Sequence, residues 1–205
     1  MTTFPLVISF YTKNTPYQLE IQNLIASCEL YQIQHSIEGV DSFGSWEINC
    51  AFKPFYILGK LKEFQRPILW IDADGVFMKK PAVIAAFNSD LATRINGDCP
   101  DQHPSKIISS TIYVDFSAKG MNLMRLWAQE SQRILNQENR NEEFWDQIAL
   151  RNVLLANPDG AKIEALPLSY AKIFDHPKDL QSQEMAVIQH YQASRRFKKI
   201  INGND

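Results

Sequence analysis

The stretch Pro67-Ile68-Leu69-Trp70-Ile71-Asp72-Ala73-Asp74-Gly75 decides how the rest of this 205-residue sequence is read. Four consecutive apolar residues behind a proline, ended by an acid-rich turn, predict a short strand buried on both faces. Upstream, Leu6 to Tyr11 predicts a first strand, closed by the turn residues Lys13-Asn14-Thr15-Pro16. Thr15 as N-cap, Pro16 at the first helical position and Gln18 form a capping box. Ile21, Leu24, Ile25 and Cys28 then recur at helical spacing. A second strand is expected near Tyr31 to Ile37, and a helix over Trp46 to Phe64 split by Pro54. Strands alternating with helices require crossover connections. The expectation is therefore an α/β fold, a mostly parallel central sheet with helices on both faces, as a single domain over 1–205. Ligands in such sheets gather at the carboxyl ends of strands, where Asp72 and Asp74 stand.

Downstream, the sequence predicts a helix from Ala82 to Phe87, a strand from Ile107 to Phe116, and an amphipathic helix from Met121 to Leu135. Leu123, Leu126, Trp127 and Ile134 share one face of that last helix. Asn141 is suited to cap a further helix, with Glu142 and Glu143 in its first turn, where the helix dipole favours acids. A basic tail, Arg195-Arg196-Phe197-Lys198-Lys199, follows the apolar run that leads to His190.

Composition removes several classes of function. Lys and Arg number 21 against 23 Asp and Glu, a net charge of -2, so no global field draws the chain onto nucleic acid. No apolar run is long enough for a membrane span or a signal-peptide core, and the expectation is a soluble, cytoplasmic protein. The basic tail is the one candidate for peripheral membrane contact. Three cysteines, Cys28, Cys50 and Cys99, show neither disulfide pairing nor zinc-site spacing.

If the strand persists, Asp72 and Asp74 point the same way and present two carboxylates to one point. Their repulsion is relieved by a hard divalent cation, Mg²⁺ or Mn²⁺, of the kind that bridges to substrate phosphates. Two solvated acids in a strand-end turn would give the same letters. The pattern Ile71-Asp72-Ala73-Asp74-Gly75 resembles two enzyme families: the haloacid-dehalogenase-like phosphatases, with Asp72 as nucleophile, and the GT-A glycosyltransferases, whose D-x-D holds a metal on a nucleotide-sugar diphosphate. The phosphatase pattern needs a late Gly-Asp with another acid three or four residues on. Gly97-Asp98-Cys99-Pro100-Asp101 misses that spacing.

The GT-A pattern runs through the chain and resembles the glycogenin-like branch. Tyr11, Thr12, Asn14 and Tyr17 look like its uridine-binding start, although local packing would explain Tyr17 equally well. Lys53 is similar to a lysine that the family aims at the diphosphate. Ser109-Ser110-Thr111 takes the place of the family's Asn-Ser-Gly strand, with Ser109 for the Asn. Glu143-Phe144-Trp145-Asp146-Gln147 resembles its D-x-x-D-Q segment, which implies Asp146 and Gln147 beside the transferred sugar, with Asp146 the candidate catalytic carboxylate. Leu166-Pro167-Leu168-Ser169-Tyr170 looks like the Leu-Pro-x-x-Tyr before the last strand. His190 followed by Arg196 resembles the closing H-x-x-G-x-x-K, with Ala193 at the Gly position.

The resemblance implies a metal-dependent transferase moving a sugar from a nucleoside-diphosphate donor, UDP above all, to a hydroxyl of a glycan, lipid or protein acceptor. It implies Mn²⁺ or Mg²⁺ held by Asp72, Asp74 and His190. Donor binding falls to Tyr11, Thr12, Asn14, Tyr17, Lys53, Asp72, Ala73, Arg196 and Lys198. The alternatives are the Mg²⁺-dependent phosphatase and a non-catalytic interaction domain whose basic tail binds a partner.

Overall fold

A computed structural model describes residues 4–137 and 145–203. Strands β1 (Leu6–Thr12), β2 (His35–Val40), β3 (Ile68–Ile71), β5 (Leu91–Ile95), β6 (Ile107–Val114) and β7 (Ile163–Ala165) form a six-stranded sheet in the order β2-β1-β3-β6-β5-β7. Within it β1 runs parallel to β2 and β3, and β5 parallel to β7, while β6 is antiparallel to both β3 and β5. The sheet is thus mostly parallel, with one reversed strand near its middle. A smaller sheet, β4-β9-β8, joins β4 (Gly75–Phe77), β9 (Ile188–His190) and β8 (Lys172–Ile173).

The pleat sorts the apolar residues into two cores. Leu6, Ile8 and Phe10 of β1 join Ile68 and Trp70 of β3 on one face, against α3 (Lys53–Phe64), α4 (Ala118–Leu135) and α5 (Asp146–Ala156). Val7, Leu69 and Ile71 face the other way, toward Ile21, Leu24 and Cys28 of α1 (Tyr17–Leu30). All four β3 residues are buried, as a strand covered on both sides requires. Trp127 of α4 is fully buried and donates its indole N–H to the Asp146 carbonyl at 2.9 Å, which fixes where α5 begins. The remaining helices are α2 (Trp46–Ala51), α6 (Pro177–Gln181) and α7 (Ala193–Ile201). No helix among the described residues is long and apolar enough to cross a membrane.

Several boundaries differ from the sequence reading. Helix α1 begins at Tyr17, and the Gln18 side chain accepts from the Asn14 N–H at 3.0 Å rather than from Thr15, so the box closes one residue early. The second strand starts at His35, not Tyr31, because α1 continues to Leu30 and Gln32 adopts a left-handed backbone with φ of 56°. In place of a helix over Ala82 to Phe87 there is a single 3-10 turn, Ala85–Asn88. Strand β5, Leu-Ala-Thr-Arg-Ile, carries too little pattern to have been found. The expected helix start at Asn141, Glu142 and Glu143 lies outside the described residues. Pro54 divides α2 from α3 as expected, since it has no N–H to continue the ladder.

Candidate functional site

At the carboxyl end of β3 the chain enters a tight turn in which Gly75 N–H donates to the Asp72 carbonyl at 2.8 Å. The strand therefore does not persist through both acids, and a turn, not strand alternation, brings them to the same end of the sheet. A cavity of about 450 Å³ opens here, lined by Asp72, Ala73 and Asp74 among others. That volume is in the range of small-molecule sites.

The reversed strand β6 makes the cavity possible. Thr93 pairs with Ile112, yet the next residue, Arg94, pairs with Ile108, so residues 109–111 leave the β5 ladder. The Thr93 hydroxyl bridges this gap, 2.7 Å from the Ile108 carbonyl and 3.0 Å from that of Thr111. Such bulges re-aim side chains beside active sites. Here they bring Ser109 and Ser110 into the cavity wall on one strand and Arg94 on the other.

Lys53, the first residue of α3, is buried beneath this opening. Its ammonium lies 2.8 Å from Asp72 Oδ1 and 2.6 Å from Asp146 Oδ2, and donates to the Ser109 carbonyl at 3.3 Å. Ser109 Oγ donates to Asp146 Oδ2 at 3.0 Å, and Trp70 Nε1 donates to Asp72 Oδ1 at 2.7 Å. Burial alone would lower the Lys53 ammonium, but the two carboxylates outweigh it and raise it. The Asp72 carboxyl is raised, chiefly by burial, against the opposing pull of Lys53. Lys53, Asp72 and Asp146 thus form a charge cluster on the cavity floor.

Asp74 faces the other way. Its Oδ1 lies 3.2 Å from His190 Nδ1, and its Oδ2 accepts the Ala193 N–H at 2.8 Å, at the start of α7. Burial would raise this carboxyl, but the His190 and Ala193 contacts hold it below the usual carboxylate range. His190 is fully buried, with Nε2 2.8 Å from the Thr111 hydroxyl. Two carboxylates and an imidazole suit Mn²⁺ or Mg²⁺ in kind. As placed, no three acidic, His or Cys side chains converge as a chelating group among the described residues. An ion would have to displace the Lys53 contact of Asp72 and the Asp74 contact of His190. Gly75 packs this corner tightly: an added Cβ would collide with Ile71 Cγ2 and lie 3.0 Å from His190 Cε1. Gly75→Ala should therefore cost about 1–3 kcal/mol in urea unfolding; a loss under about 0.5 kcal/mol would show that the corner yields.

Helix α7 closes the cavity from above. Asn202 Oδ1 accepts the Trp46 N–H at 2.8 Å, and Lys198 pairs with Glu47 at 2.9 Å while sitting 4.4 Å from the Trp46 ring centroid. The Phe197 ring meets Tyr17 edge-on at 5.4 Å, and Tyr17 Oη accepts from Trp46 Nε1 at 3.3 Å. Burial pushes the Tyr17 phenol well up.

Of the residues singled out from sequence, Tyr11, Thr12, Tyr17, Lys53, Asp72, Ala73, Asp74, Asp146, Gln147 and Lys198 line this one cavity. Gln147 also donates to the Pro104 carbonyl at 3.1 Å. His190 lies beneath it, reached through Asp74. Asn14 sits outside, exposed in the turn with φ of 58°. Arg196 faces a separate groove on the far side of α7, paired with Glu20 of α1 at 2.9 Å. Glu143 lies outside the described residues. The sequence reading missed Trp46, Arg94 and His176, all in the cavity wall. No signal of the Asp-x-Asp kind marks them; they meet the site only through folding.

No protein-family profile and no curated protein matches the chain. Among solved structures it is similar to a glycosyltransferase involved in the glycosylation of the major capsid of PBCV-1, with a TM-score of 0.67 at 13% identity. The match covers 97% of this chain and 96% of that one. Near-complete coverage of both chains establishes a shared fold: this protein has the same mixed α/β architecture as that structure.

Proposed function

We propose that the protein is a GT-A-type glycosyltransferase that transfers a sugar from a UDP-sugar to a hydroxyl of a glycan, lipid or protein acceptor. The observation that carries this reading is the Lys53–Asp72–Asp146 cluster on the floor of a cavity whose wall includes Tyr11, Tyr17 and Trp46. The likeness to a glycosyltransferase fold supports it. Aromatic rings beside a lysine-bearing floor suit a nucleobase joined to a diphosphate.

Transfer loosens the anomeric bond, and negative charge grows on the departing diphosphate. The Lys53 and Lys198 ammonium groups stand in the wall and favour that charge, most strongly in the transition state. Ser109 and Ser110 stand in the wall beside the space for the sugar, and among the described residues the buried Ser110 Oγ has no hydrogen-bond partner. Asp146, held by Lys53 and Ser109, is placed to orient the donor sugar and to stabilise positive charge at its anomeric carbon. A divalent cation, Mn²⁺ or Mg²⁺, held by Asp72, Asp74 and His190, is the proposed cofactor and would add to the neutralisation of the diphosphate. The phosphatase alternative is not favoured, since neither the fold likeness nor the acid spacing supports it. Peripheral membrane contact through α7 is the least supported part of the proposal, because Arg195, Arg196 and Lys198 are paired with Asp175, Glu20 and Glu47.

Calorimetric titration of UDP and several UDP-sugars, with Mn²⁺ and then with EDTA, tests the reading. Binding should require the metal and be lost in Asp74→Ala. Nucleotide binding that ignores both changes would remove the metal from the proposal; absence of nucleotide binding would remove the proposal itself.

A further inference from the structure

The groove faced by Arg196 is larger than the donor cavity, about 850 Å³. One wall is the outer face of α1, where Asn23, Ala26 and Leu30 are exposed and recur at helical spacing. Met78 after β4, Phe174 after β8 and Tyr191 after β9 form another. Leu30, Met78 and Phe174 are exposed, and the Phe174 and Tyr191 rings lie 5.5 Å apart at an interplanar angle of 30°. The charged side chains lining the groove are two acids and two bases, each paired: Asp175 with Arg195, and Glu20 with Arg196. The lining therefore carries no net charge.

This groove adjoins the donor cavity. Gln192 and Arg195, at the start of α7, line both spaces. From the end of β8 onward the chain serves the two in turn, Ile173 and His176 lining the cavity and Phe174 and Asp175 the groove. The Asp175–Arg195 ion pair thus stands where one space passes into the other.

We propose that the groove binds an oligosaccharide acceptor, whose terminal sugar enters the cavity to receive the transferred one while its further rings lie between α1 and the small sheet. This rests on the glycosyltransferase reading and names its acceptor class. A sugar ring presents an apolar face of C–H groups and a rim of hydroxyls. The Phe174 and Tyr191 rings suit the face. Asn23, Gln192 and the paired carboxylates and guanidiniums suit the rim, because each can accept from or donate to a hydroxyl. A lining without net charge is unlike a site for an anionic lipid headgroup or a nucleic acid, which draws on an excess of cations. An acyl chain laid along the same walls would bury those charged groups without offering them a hydrogen bond.

The whole chain, fluorescently labelled, is applied to an array of neutral oligosaccharides graded in length from single sugars upward, with UDP binding followed separately by calorimetry. The wild type should be retained by at least one glycan series, more tightly as the chain lengthens. Phe174→Ala should weaken that retention about tenfold. Ala26→Trp, which projects an indole into the groove from an exposed helix position, should abolish it. Both variants should bind UDP as the wild type does, since neither side chain lines the donor cavity. Weakening by either variant with UDP binding intact supports the inference. Retention that ignores chain length or is weakened by neither variant, or no retention by any glycan, overturns the inference and leaves the transferase reading standing if UDP binds. Failure of the wild type to bind UDP overturns the reading and the inference with it.

Discussion

Lys53→Met should cost about 3–5 kcal/mol of folding stability, because it leaves the buried Asp146 carboxylate, and the half-buried one of Asp72, without their shared cation. In the native protein that ammonium touches Asp72 and Asp146 at 2.8 and 2.6 Å and is almost entirely shielded from water. Methionine matches the length of the stem but neutralises nothing. A domain stable by about 5–15 kcal/mol would lose a large fraction of that margin, visible as a lower midpoint in urea. The origin of the loss is tested by a second change: Lys53→Met with Asp146→Asn removes one of the two stranded charges and should recover part of the stability. If the double variant is no more stable than Lys53→Met, loss of packing rather than stranded charge explains the effect. Donor turnover should fall in Lys53→Met as well, since the cluster is the proposed anchor for the diphosphate end of the site.

The second large effect is expected at Arg94. Arg94→Met strands the Asp179 carboxylate, and the loss at pH 7 should again be about 3–5 kcal/mol. The pH dependence gives this prediction its sign. Burial alone would raise the Asp179 carboxyl, but the hydrogen bonds from Arg94 and Ile173 hold it below the usual carboxylate range. A carboxyl lowered by folding contributes stability that is fully present above its unfolded value and is lost as the pH falls through its folded value. The wild type should therefore lose this contribution as the pH drops below about 4. Arg94→Met has no such contribution to lose, so its deficit against the wild type should narrow in acid. Urea unfolding at pH 7 and near pH 3.5 measures the difference; a deficit that stays constant between them would contradict the ion-pair explanation.

How much of this was legible in the sequence depends on how far each signal reaches. Strand β3, helix α1 and the Pro54 break were readable because a four-residue apolar run, an apolar stripe and a proline act on their own neighbourhood. Strand β5 was not, because Leu91 to Ile95 acquires its identity from pairing with β6 and β7 rather than from its own pattern. The end of β2 nearest α1 was misplaced because only the folded chain shows Gln32 turning left-handed. Much of the cavity wall was anticipated, since Asp72, Asp146 and Lys53 sit in motifs that mark element ends. Their relation was not. Nothing in the sequence says that one ammonium joins residues 72 and 146, or that Arg94 and Asp179 meet across 85 positions in a buried ion pair. Arg196 shows the converse, a residue in the expected order whose side chain turns to Glu20 and a different groove.

The clasp between α7 and α2 bears on when the protein becomes competent during its synthesis. Trp46 and Asn202 are separated by 156 positions, yet the second completes the start of the helix that the first begins. A growing chain presents β1, α1, α2 and β3 to solvent long before Phe197, Lys198 and Asn202 have left the ribosome. Throughout that interval Tyr17 lacks its edge-on partner, Glu47 lacks its cation, and Asp74 has no helix to cap. Domains tend to fold as units, amino-terminal parts first. Here the sheet can form early, but the roof of its cleft is made only after every strand of both sheets. Ligand affinity should therefore arrive late and abruptly on the ribosome, leaving the nascent chain little chance to sequester a metabolite before α7 has emerged.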